Sequence, residues 1–327
     1  MALRGDYSFP LSSPITAMEL KTKNNTKRTK WILYFVAALG FYLLFVIDNV
    51  DFQPDRVPRQ LRNVEGPKAD KRRPVMYTFF EPVEGGCCGM TQEAHEDLIK
   101  AWEDAWQMHG WDTKVLNEAD AKDHPYFEAF QQKLIEADIR EYDRRCFWRW
   151  LAMANQENGG WMSDYDNFPL ALTGEMGLKM ERVPGFKTYG GHVPALISAD
   201  RESWDRVAKL MLDMISPDLD VEIISDMMVL LYLRRNLSQE EMGVSVWKNS
   251  IYAGFPYIKE DEESGPKIMC KWADRYLTAH ISHASCQKAF KKNTYPKIEG
   301  MTIRDTAEKR AEAARIMYRD YQDNCTQ

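Results

Sequence analysis

Asp164 and Asp166 are two carboxylates separated by one residue, in the stretch NGGWMSDYD (158–166). In extended backbone, residues i and i+2 project to the same side, so both carboxylates can reach one ligand. Hard oxygen donors of this kind suit Mg²⁺ or Mn²⁺, which complete their shell with water and with phosphate oxygens of a substrate. The pair therefore predicts a divalent-cation site that binds a diphosphate group.

The residues around the pair separate it from other carboxylate sites. An arginine-rich, aromatic segment ends at Gly159-Gly160, and three strand-like residues, 161–163, then lead into Asp164. A Ca²⁺-binding EF-hand loop that began at Asp164 would need glycine where Pro169 stands. An aspartyl-phosphate phosphatase would need a long hydrophobic strand before the pair, and here Asn-Gly-Gly precedes it. A purely structural turn remains the alternative to a metal site.

The segment GGWMSDYD (159–166) resembles, position for position, the Gly-Gly-x-x-x-Asp-x-Asp segment of glycosyltransferases with the sugar-binding DXD motif. That family comprises retaining α-mannosyl- and α-galactosyltransferases of the Golgi with a GT-A fold. Its preceding helix carries an arginine followed by aromatic and aliphatic residues, and RWLAM (149–153) is similar. The spacing to the glycines is longer here and the usual Ser-Asp is missing, so Arg145 is the alternative to Arg149.

The resemblance implies a set of contacts to a nucleotide-sugar donor and a metal. Asp164 would face the ribose and the sugar, and Asp166 would ligate Mn²⁺ or Mg²⁺ on the nucleotide diphosphate. An arginine would offset the charge that builds up on the departing diphosphate. The further donor-binding residues expected from the first strand, the arginine segment and the motif are Tyr77, Thr78, Arg145, Arg149, Gly160 and Tyr165.

Two histidines, His280 and His283, lie late in the chain in YLTAHISHASC (276–286). Residues three apart share a face of a helix but not of a strand. His283-Ala-Ser resembles the His-x-Ser sequence of the same glycosyltransferases, in which a C-terminal histidine commonly reaches the metal opposite the DXD motif. The resemblance therefore implies His283, ahead of His280, as the third metal ligand, and a neutral imidazole suits Mn²⁺ beside carboxylates.

Asp226 stands within the apolar sequence IISDMMVLLYL, which is predicted to be part of a helix over 221–235. An isolated carboxylate in such surroundings costs desolvation, so it must face a cleft or pair with a cation. Asp226 is therefore a candidate catalytic acid or acceptor contact. The other catalytic candidates are Asp164, Asp166 and Arg149.

Strands alternate with helices along residues 74–290, which predicts an α/β domain. With the resemblance, this predicts a GT-A-like domain with a Rossmann-type mixed sheet flanked by helices, followed by a C-terminal helical extension at 291–327. The predicted strands are 75–80, 113–116, 161–163 and 195–198, and the predicted helices are 91–110, 125–137, 140–156, 201–215, 221–235 and 301–321.

Residues 31–47 are apolar and uncharged, long enough for roughly 25 Å of helix, and predict a transmembrane signal anchor. Basic residues within 1–30 predict that this tail is cytosolic by the positive-inside rule. The polar, proline-containing residues 48–73 predict a stem. The protein is therefore expected to be a type II membrane protein of the Golgi or ER, with its catalytic domain in the lumen.

The acidic composition and the cysteines restrict the function further. A net charge of −6 does not suit a protein that binds nucleic acid through phosphates. No CxxC pair occurs among the six cysteines, which argues against a zinc ribbon, and their pairing stays open. The sequons at Asn236 and Asn324 are consistent with a glycoprotein.

These observations predict a metal-dependent glycosyltransferase that transfers a hexose from a nucleotide sugar to a glycan or glycoprotein acceptor. Retention of the anomeric configuration is implied by the resemblance alone. Two alternatives remain open. One is a catalytically silent, membrane-anchored lumenal binding protein on the same fold, and the other is a metal-dependent phosphoesterase.

Overall fold

A six-stranded sheet and a three-stranded sheet form the framework of the protein. The computed structural model describes residues 72–83, 89–216, 224–259 and 266–325. The strands in chain order are β1 (Val75–Phe79), β2 (Asp112–Leu116), β3 (Gly160–Ser163), β4 (Asn167–Pro169), β5 (Phe186–Thr188), β6 (Leu196–Ala199), β7 (Val244–Trp247), β8 (Ile251–Ala253), β9 (Tyr257–Ile258), β10 (Lys267–Ile268) and β11 (Thr278–His280).

The larger sheet is mixed, with strand order β2-β1-β3-β6-β5-β7. Strand β1 runs parallel to both β2 and β3, whereas β6 runs antiparallel to its two neighbours. The smaller sheet has the order β4-β11-β8, in which β11 is antiparallel to β4 and parallel to β8. Because β3 belongs to the larger sheet and β4 to the smaller one, the chain changes sheets between Ser163 and Asn167.

Helices cover the larger sheet, so the predicted mixed α/β architecture with a central sheet flanked by helices is confirmed. The described α-helices are α1 (Gln92–Met108), α2 (Glu118–Lys122), α3 (Phe127–Glu136), α4 (Glu141–Ala154), α5 (Gly174–Glu181), α6 (Arg201–Met214), α7 (Asp226–Asn236), α8 (Gln239–Met242), α9 (Cys270–Ala273), α10 (His283–Lys291) and α11 (Arg310–Cys325).

Two apolar clusters fill the two faces of the larger sheet. Successive residues of a strand point to opposite faces, and on β3 Trp161 belongs to one cluster while Met162 belongs to the other. The first cluster includes Trp102 and Trp106 of α1, and the second includes Trp150 of α4. All four of these tryptophans are fully buried, so they serve the core.

Most predicted elements are present with small shifts at their ends, but two helix starts differ. Helix α7 begins at Asp226 because the side chain of Ser225 accepts a hydrogen bond from the backbone N–H of Met228. Helix α11 begins at Arg310, and a short 3₁₀ helix, Ile303–Thr306, precedes it. Asp226 therefore lies in a first helical turn rather than in a helix interior.

Within the described part of the chain, a disulfide between Cys270 and Cys325 joins α9 to the end of α11 across 55 positions of sequence. Cys146 and Cys286 are free thiols. Burial raises the pKa of Cys286 to about 12, so this thiol stays protonated near neutral pH.

The prediction of a Golgi or ER membrane protein is corrected by the structure. Among the helices of the described residues, none is long and apolar enough to cross a membrane. The longest, Gln92–Met108, has 17 residues and carries charged side chains between its buried positions. The predicted tail, the predicted anchor at 31–47 and almost all of the predicted stem lie outside the described residues.

Candidate metal centre

The two aspartates lie in the turn that connects β3 to β4. The backbone N–H of Asp164 donates to the carbonyl of Ala195 at 3.1 Å, and the N–H of Asn167 donates to the carbonyl of Asp164 at 3.0 Å. This turn follows the carboxyl end of β3, which is the edge where open α/β sheets generally bind ligands. The pair therefore stands in a turn rather than on a strand, at the junction of the two sheets.

The Gly-Gly pair at the start of β3 has a structural cause. Gly159 has a φ of +68°, and a Cβ atom there would lie 2.5 Å from the carbonyl oxygen of Ala199 on β6. Only glycine fits this close approach of two backbones. Gly160 has a φ of +127°, and its carbonyl accepts a hydrogen bond from the indole of Trp204 at 3.2 Å.

Sheet register brings His280 to the aspartates. Strand β11 pairs with β4 so that His280 lies opposite Asn167, the residue after Asp166. The backbone N–H of Ile281 continues the pairing by donating to the carbonyl of Asp166 at 2.9 Å. His280 thus reaches the turn from a strand that is far away in sequence.

The preference for His283 over His280 is corrected by this geometry. Strand β11 ends at His280, and Ser282 then caps helix α10 by accepting a hydrogen bond from the N–H of Ser285. His283 is the first residue of that helix, and its Nε2 lies 3.1 Å from Nε2 of Gln287. The change from strand to helix turns the two histidines in different directions.

Asp164, Asp166 and His280 form a group that could hold a metal ion. The Nε2 atom of His280 lies 3.1 Å from Oδ1 of Asp166 and 3.7 Å from Oδ2 of Asp164. One ligand atom from each of the three residues lies within 4.8 Å of the other two. Two carboxylate oxygens and one imidazole nitrogen are a donor set suited to a divalent cation such as Mn²⁺ or Mg²⁺.

Each aspartate also accepts a hydrogen bond from an arginine, through the carboxylate oxygen that does not face His280. Nη1 of Arg149 donates to Oδ1 of Asp164 at 2.6 Å, and Nη1 of Arg310 donates to Oδ2 of Asp166 at 2.7 Å. The remaining oxygens, Oδ2 of Asp164 and Oδ1 of Asp166, are the ones that face His280. The two guanidiniums therefore orient the carboxylates, with one oxygen of each directed to a common point.

Asp226 is held deep behind Arg149. Its side chain is 4% exposed, and its Oδ2 accepts from Nε of Arg149 at 2.8 Å and from Trp150 Nε1 at 3.0 Å. Nη2 of Arg149 also donates to this oxygen, while Oδ1 accepts from the N–H of Met227 at 2.7 Å. Asp226 thus pairs with a cation, one of the two situations expected for it, and its role as a catalytic acid or acceptor contact stays a prediction.

The surroundings shift the pKa values of the three grouped residues in different directions. Burial raises the pKa of Asp164 above its usual value, although Arg149 and His280 oppose the shift. Burial acts the same way on Asp166, but His280 and Arg310 together hold the pKa of Asp166 well below its usual range. Burial alone lowers the pKa of His280, and the carboxylates of Asp166 and Asp164 reverse this and raise it.

The group remains open to a ligand. The side chains of Asp164, Asp166 and His280 are 26%, 15% and 16% exposed, whereas those of Arg149 and Arg310 are 12% and 5% exposed. The three grouped side chains are therefore partly exposed, and the two arginines are more buried. Such an arrangement can bind a cation together with a second, anionic ligand.

Arg149, not its alternative Arg145, contacts the aspartates. Arg145 donates from Nη1 to the carbonyl of Glu81 at 3.0 Å and forms an ion pair with Glu141. Tyr165 turns away from its two neighbouring aspartates, since its hydroxyl lies 3.1 Å from Nδ1 of His95.

The predicted donor contacts Tyr77, Thr78 and Gly160 lie apart from the three grouped residues. Thr78 is fully buried. Tyr77 and Gly160 line a cavity of about 410 Å³ that contains neither aspartate of the motif. The geometry of the Asp-x-Asp turn therefore gives no support to the prediction that Tyr77 and Gly160 bind the donor.

Sequence reasoning missed Arg310. It lies 144 positions after Asp166, in a polar and alanine-rich segment that resembles any solvent-exposed helix. No local pattern marks it, because its partner is reached only when α11 packs beside α1. His280 likewise lacked a decisive local signal, since the register of β11 against β4 brings it to the aspartates.

The fold and these residues define a mixed α/β protein with an acidic group able to hold a metal at the carboxyl end of a central strand. The chain belongs to the family described as Domain of unknown function (DUF8765), whose model matches residues 66–293. No curated protein matches the chain significantly. The matched residues include the Asp-x-Asp turn and His280, whereas Arg310 lies beyond them.

Proposed function

We propose that this protein is a metal-dependent glycosyltransferase that transfers a hexose from a nucleotide sugar to a glycan acceptor, on a fold of the GT-A type. The observation that carries the proposal is the convergence of Asp164, Asp166 and His280 at the carboxyl end of β3. The resemblance of GGWMSDYD to the DXD segment of such enzymes supplies the class of substrate.

In this proposal, Oδ2 of Asp164, Oδ1 of Asp166 and Nε2 of His280 hold Mn²⁺ or Mg²⁺. A bound ion of this kind neutralises negative charge on the diphosphate that leaves the sugar. Arg149 keeps Asp164 in position, and Asp226 keeps Arg149 in position. Both act through other residues, so they are positioning residues rather than catalytic ones.

The experiment is a screen of the full-length protein against UDP- and GDP-sugars, with and without Mn²⁺, for thermal stabilisation. A ligand at one hundred times its Kd stabilises a folded protein by about 2.7 kcal/mol. We expect a Mn²⁺-dependent shift for one donor, which Asp166→Asn and His280→Ala abolish. Transfer of the sugar from that donor is then measured with a panel of glycan acceptors.

His283→Ala is the matched control, because it removes a histidine three positions away that lies outside the metal-binding group. The control should keep the full shift. A folded protein that shows no shift with any donor would contradict the proposal. A shift that is independent of Mn²⁺, or that survives Asp166→Asn, would equally contradict it.

A catalytically silent binding protein on the same fold is the second candidate. One observation favours it, since Arg149 and Arg310 already supply counter-charges to Asp164 and Asp166. Such a protein would bind its partner equally well with Asp166→Asn and would transfer no sugar. The same screen and transfer measurement therefore separate the two candidates.

A further inference from the structure

Arg310, the first residue of α11, places a positive charge beside the oxygen of Asp166 that does not face His280. Its side chain is 5% exposed, and its Nη1 atom lies 2.7 Å from Oδ2 of Asp166. Its Nη2 atom lies 2.6 Å from the sulfur of Met90, and its Nε donates to the carbonyl of Ala307 at 3.3 Å. The guanidinium is thus fixed by several contacts, and it stays charged at any physiological pH.

The charges of the two grouped aspartates and of the residues behind them nearly cancel. Three carboxylates, Asp164, Asp166 and Asp226, face the two guanidiniums of Arg149 and Arg310. Arg149 is divided between Asp226 and Asp164, whereas Arg310 pairs with Asp166 itself. With His280 counted as the neutral imidazole that binds a metal, these carboxylates and guanidiniums leave one net negative charge for an incoming cation.

A divalent cation would turn this balance into a net positive charge in a partly buried place. Uncompensated charge there is costly, because little water is available to solvate it. A diphosphate would remove the excess and would also supply the oxygen ligands that Mg²⁺ and Mn²⁺ take from substrates. The fixed charges thus favour joint binding of a cation and an anion over binding of the cation alone.

We propose that Arg310 makes divalent-cation binding at Asp164, Asp166 and His280 conditional on a diphosphate anion. This inference rests on the proposed function, whose donor contains such a diphosphate. Arg310 is a positioning and charge-setting residue that acts through Asp166. Helix α11 then contributes Arg310 to the metal centre, although this helix lies beyond the residues that the family model matches.

The experiment measures Mn²⁺ binding to the full chain by the electron paramagnetic resonance signal of the free ion. Binding is measured first with Mn²⁺ alone and then with inorganic pyrophosphate, with free Mn²⁺ corrected for its complex with pyrophosphate. We expect the wild type to bind Mn²⁺ at least about tenfold more tightly with pyrophosphate than without it.

Arg310→Gln removes the charge but can still donate a hydrogen bond to Asp166. It should bind Mn²⁺ alone about tenfold more tightly than the wild type, and pyrophosphate should then add correspondingly less. Arg310→Lys retains the charge and should behave like the wild type. Arg315→Gln is the matched control on the same helix, since Arg315 pairs with Asp97 at the surface, and it should stay within about threefold of the wild type.

Unchanged or weaker binding of Mn²⁺ alone to folded Arg310→Gln would overturn the inference, while the metal centre itself would stand. The wild type provides a test without any variant, since a pyrophosphate effect below about threefold would also overturn it. If the wild type binds no Mn²⁺ under either condition, the metal centre of the proposed function fails, and this inference fails with it.

Discussion

Arg149 is the residue on which the arrangement of the acidic group depends. It reaches forward to Asp164 and backward to Asp226, and its side chain is 12% exposed. The pKa of Arg149 is raised, since the nearby carboxylates of Asp226 and Asp164 outweigh the opposing effect of burial. An arginine so enclosed needs both partners, because a buried charge with a missing partner is strongly destabilising.

Asp226→Asn tests this dependence at the scale of one residue. The change keeps the shape of the side chain but leaves Arg149 with one carboxylate, so we expect the free energy of unfolding to fall by about 3 kcal/mol. Urea denaturation measures it. Asp213→Asn, which removes an exposed partner of Lys209, is the control and should change stability by less than about 0.5 kcal/mol. Equal stability of the two variants would refute the structural role of Asp226.

At the scale of elements, the metal-binding group depends on two connections between distant segments. Strand β11 places His280 opposite β4, and helix α11 places Arg310 behind Asp166. The disulfide Cys270–Cys325 fixes the end of α11 to α9. It closes a loop across 55 positions of sequence, which restricts the unfolded chain.

The double change Cys270→Ser and Cys325→Ser should therefore lower the free energy of unfolding by about 4 kcal/mol in the chain-entropy model. Chemical denaturation measures the loss. A reducing agent should lower the melting temperature of the wild type and leave that of the double variant unchanged. If reduction affects both proteins equally, the disulfide is not the element that stabilises α11.

At the scale of the whole molecule, His109 lies where three separate segments meet. It ends helix α1, its Nε2 lies 3.0 Å from the carbonyl of Leu170, and its Nδ1 lies 2.5 Å from the hydroxyl of Tyr318 on α11. Burial lowers the pKa of His109, although hydrogen bonds to the carbonyls of Ala105 and Leu170 oppose the shift. The folded protein therefore favours the neutral imidazole.

The sign of the pH dependence follows from this lowered pKa. The stability that neutral His109 contributes is fully present above the ordinary histidine pKa of about 6.5 and is lost as pH falls toward the lower pKa of the folded state. We expect His109→Gln to lose less stability than the wild type between pH 7.5 and pH 5.5, as measured by urea denaturation at both pH values. Equal losses would show that His109 does not titrate on unfolding in this range.

His280 works in the opposite direction and must be separated from this effect. Its pKa is raised, so its contribution is present below the ordinary histidine pKa and is lost as pH rises through the folded value. The comparison of His109→Gln with the wild type removes it, because both proteins keep His280. Any remaining difference in the pH dependence belongs to His109.

The sequence by itself determined the local elements and the acidic pair. The hydrophobic pattern of residues 92–108 and the strand-like run 75–79 are local signals, and they predicted α1 and β1 closely. Gly-Gly and Asp-x-Asp were informative because each is a recognisable local pattern, although the turn that follows β3 is also held by hydrogen bonds to Ala195 and Ile281. A capping residue, Ser225, was overlooked, and the start of α7 was placed too early as a result.

Only the tertiary structure decided which distant residues join the pair. His280 was chosen over His283 by the register of β11 against β4, and Arg310 was brought in by the packing of α11. It also showed that Asp226 pairs with Arg149. Pairing across more than one hundred positions depends on how strands and helices meet, which local propensity does not encode. The Asp-x-Asp pair was therefore readable from the chain, whereas its third ligand and its counter-charges required the fold.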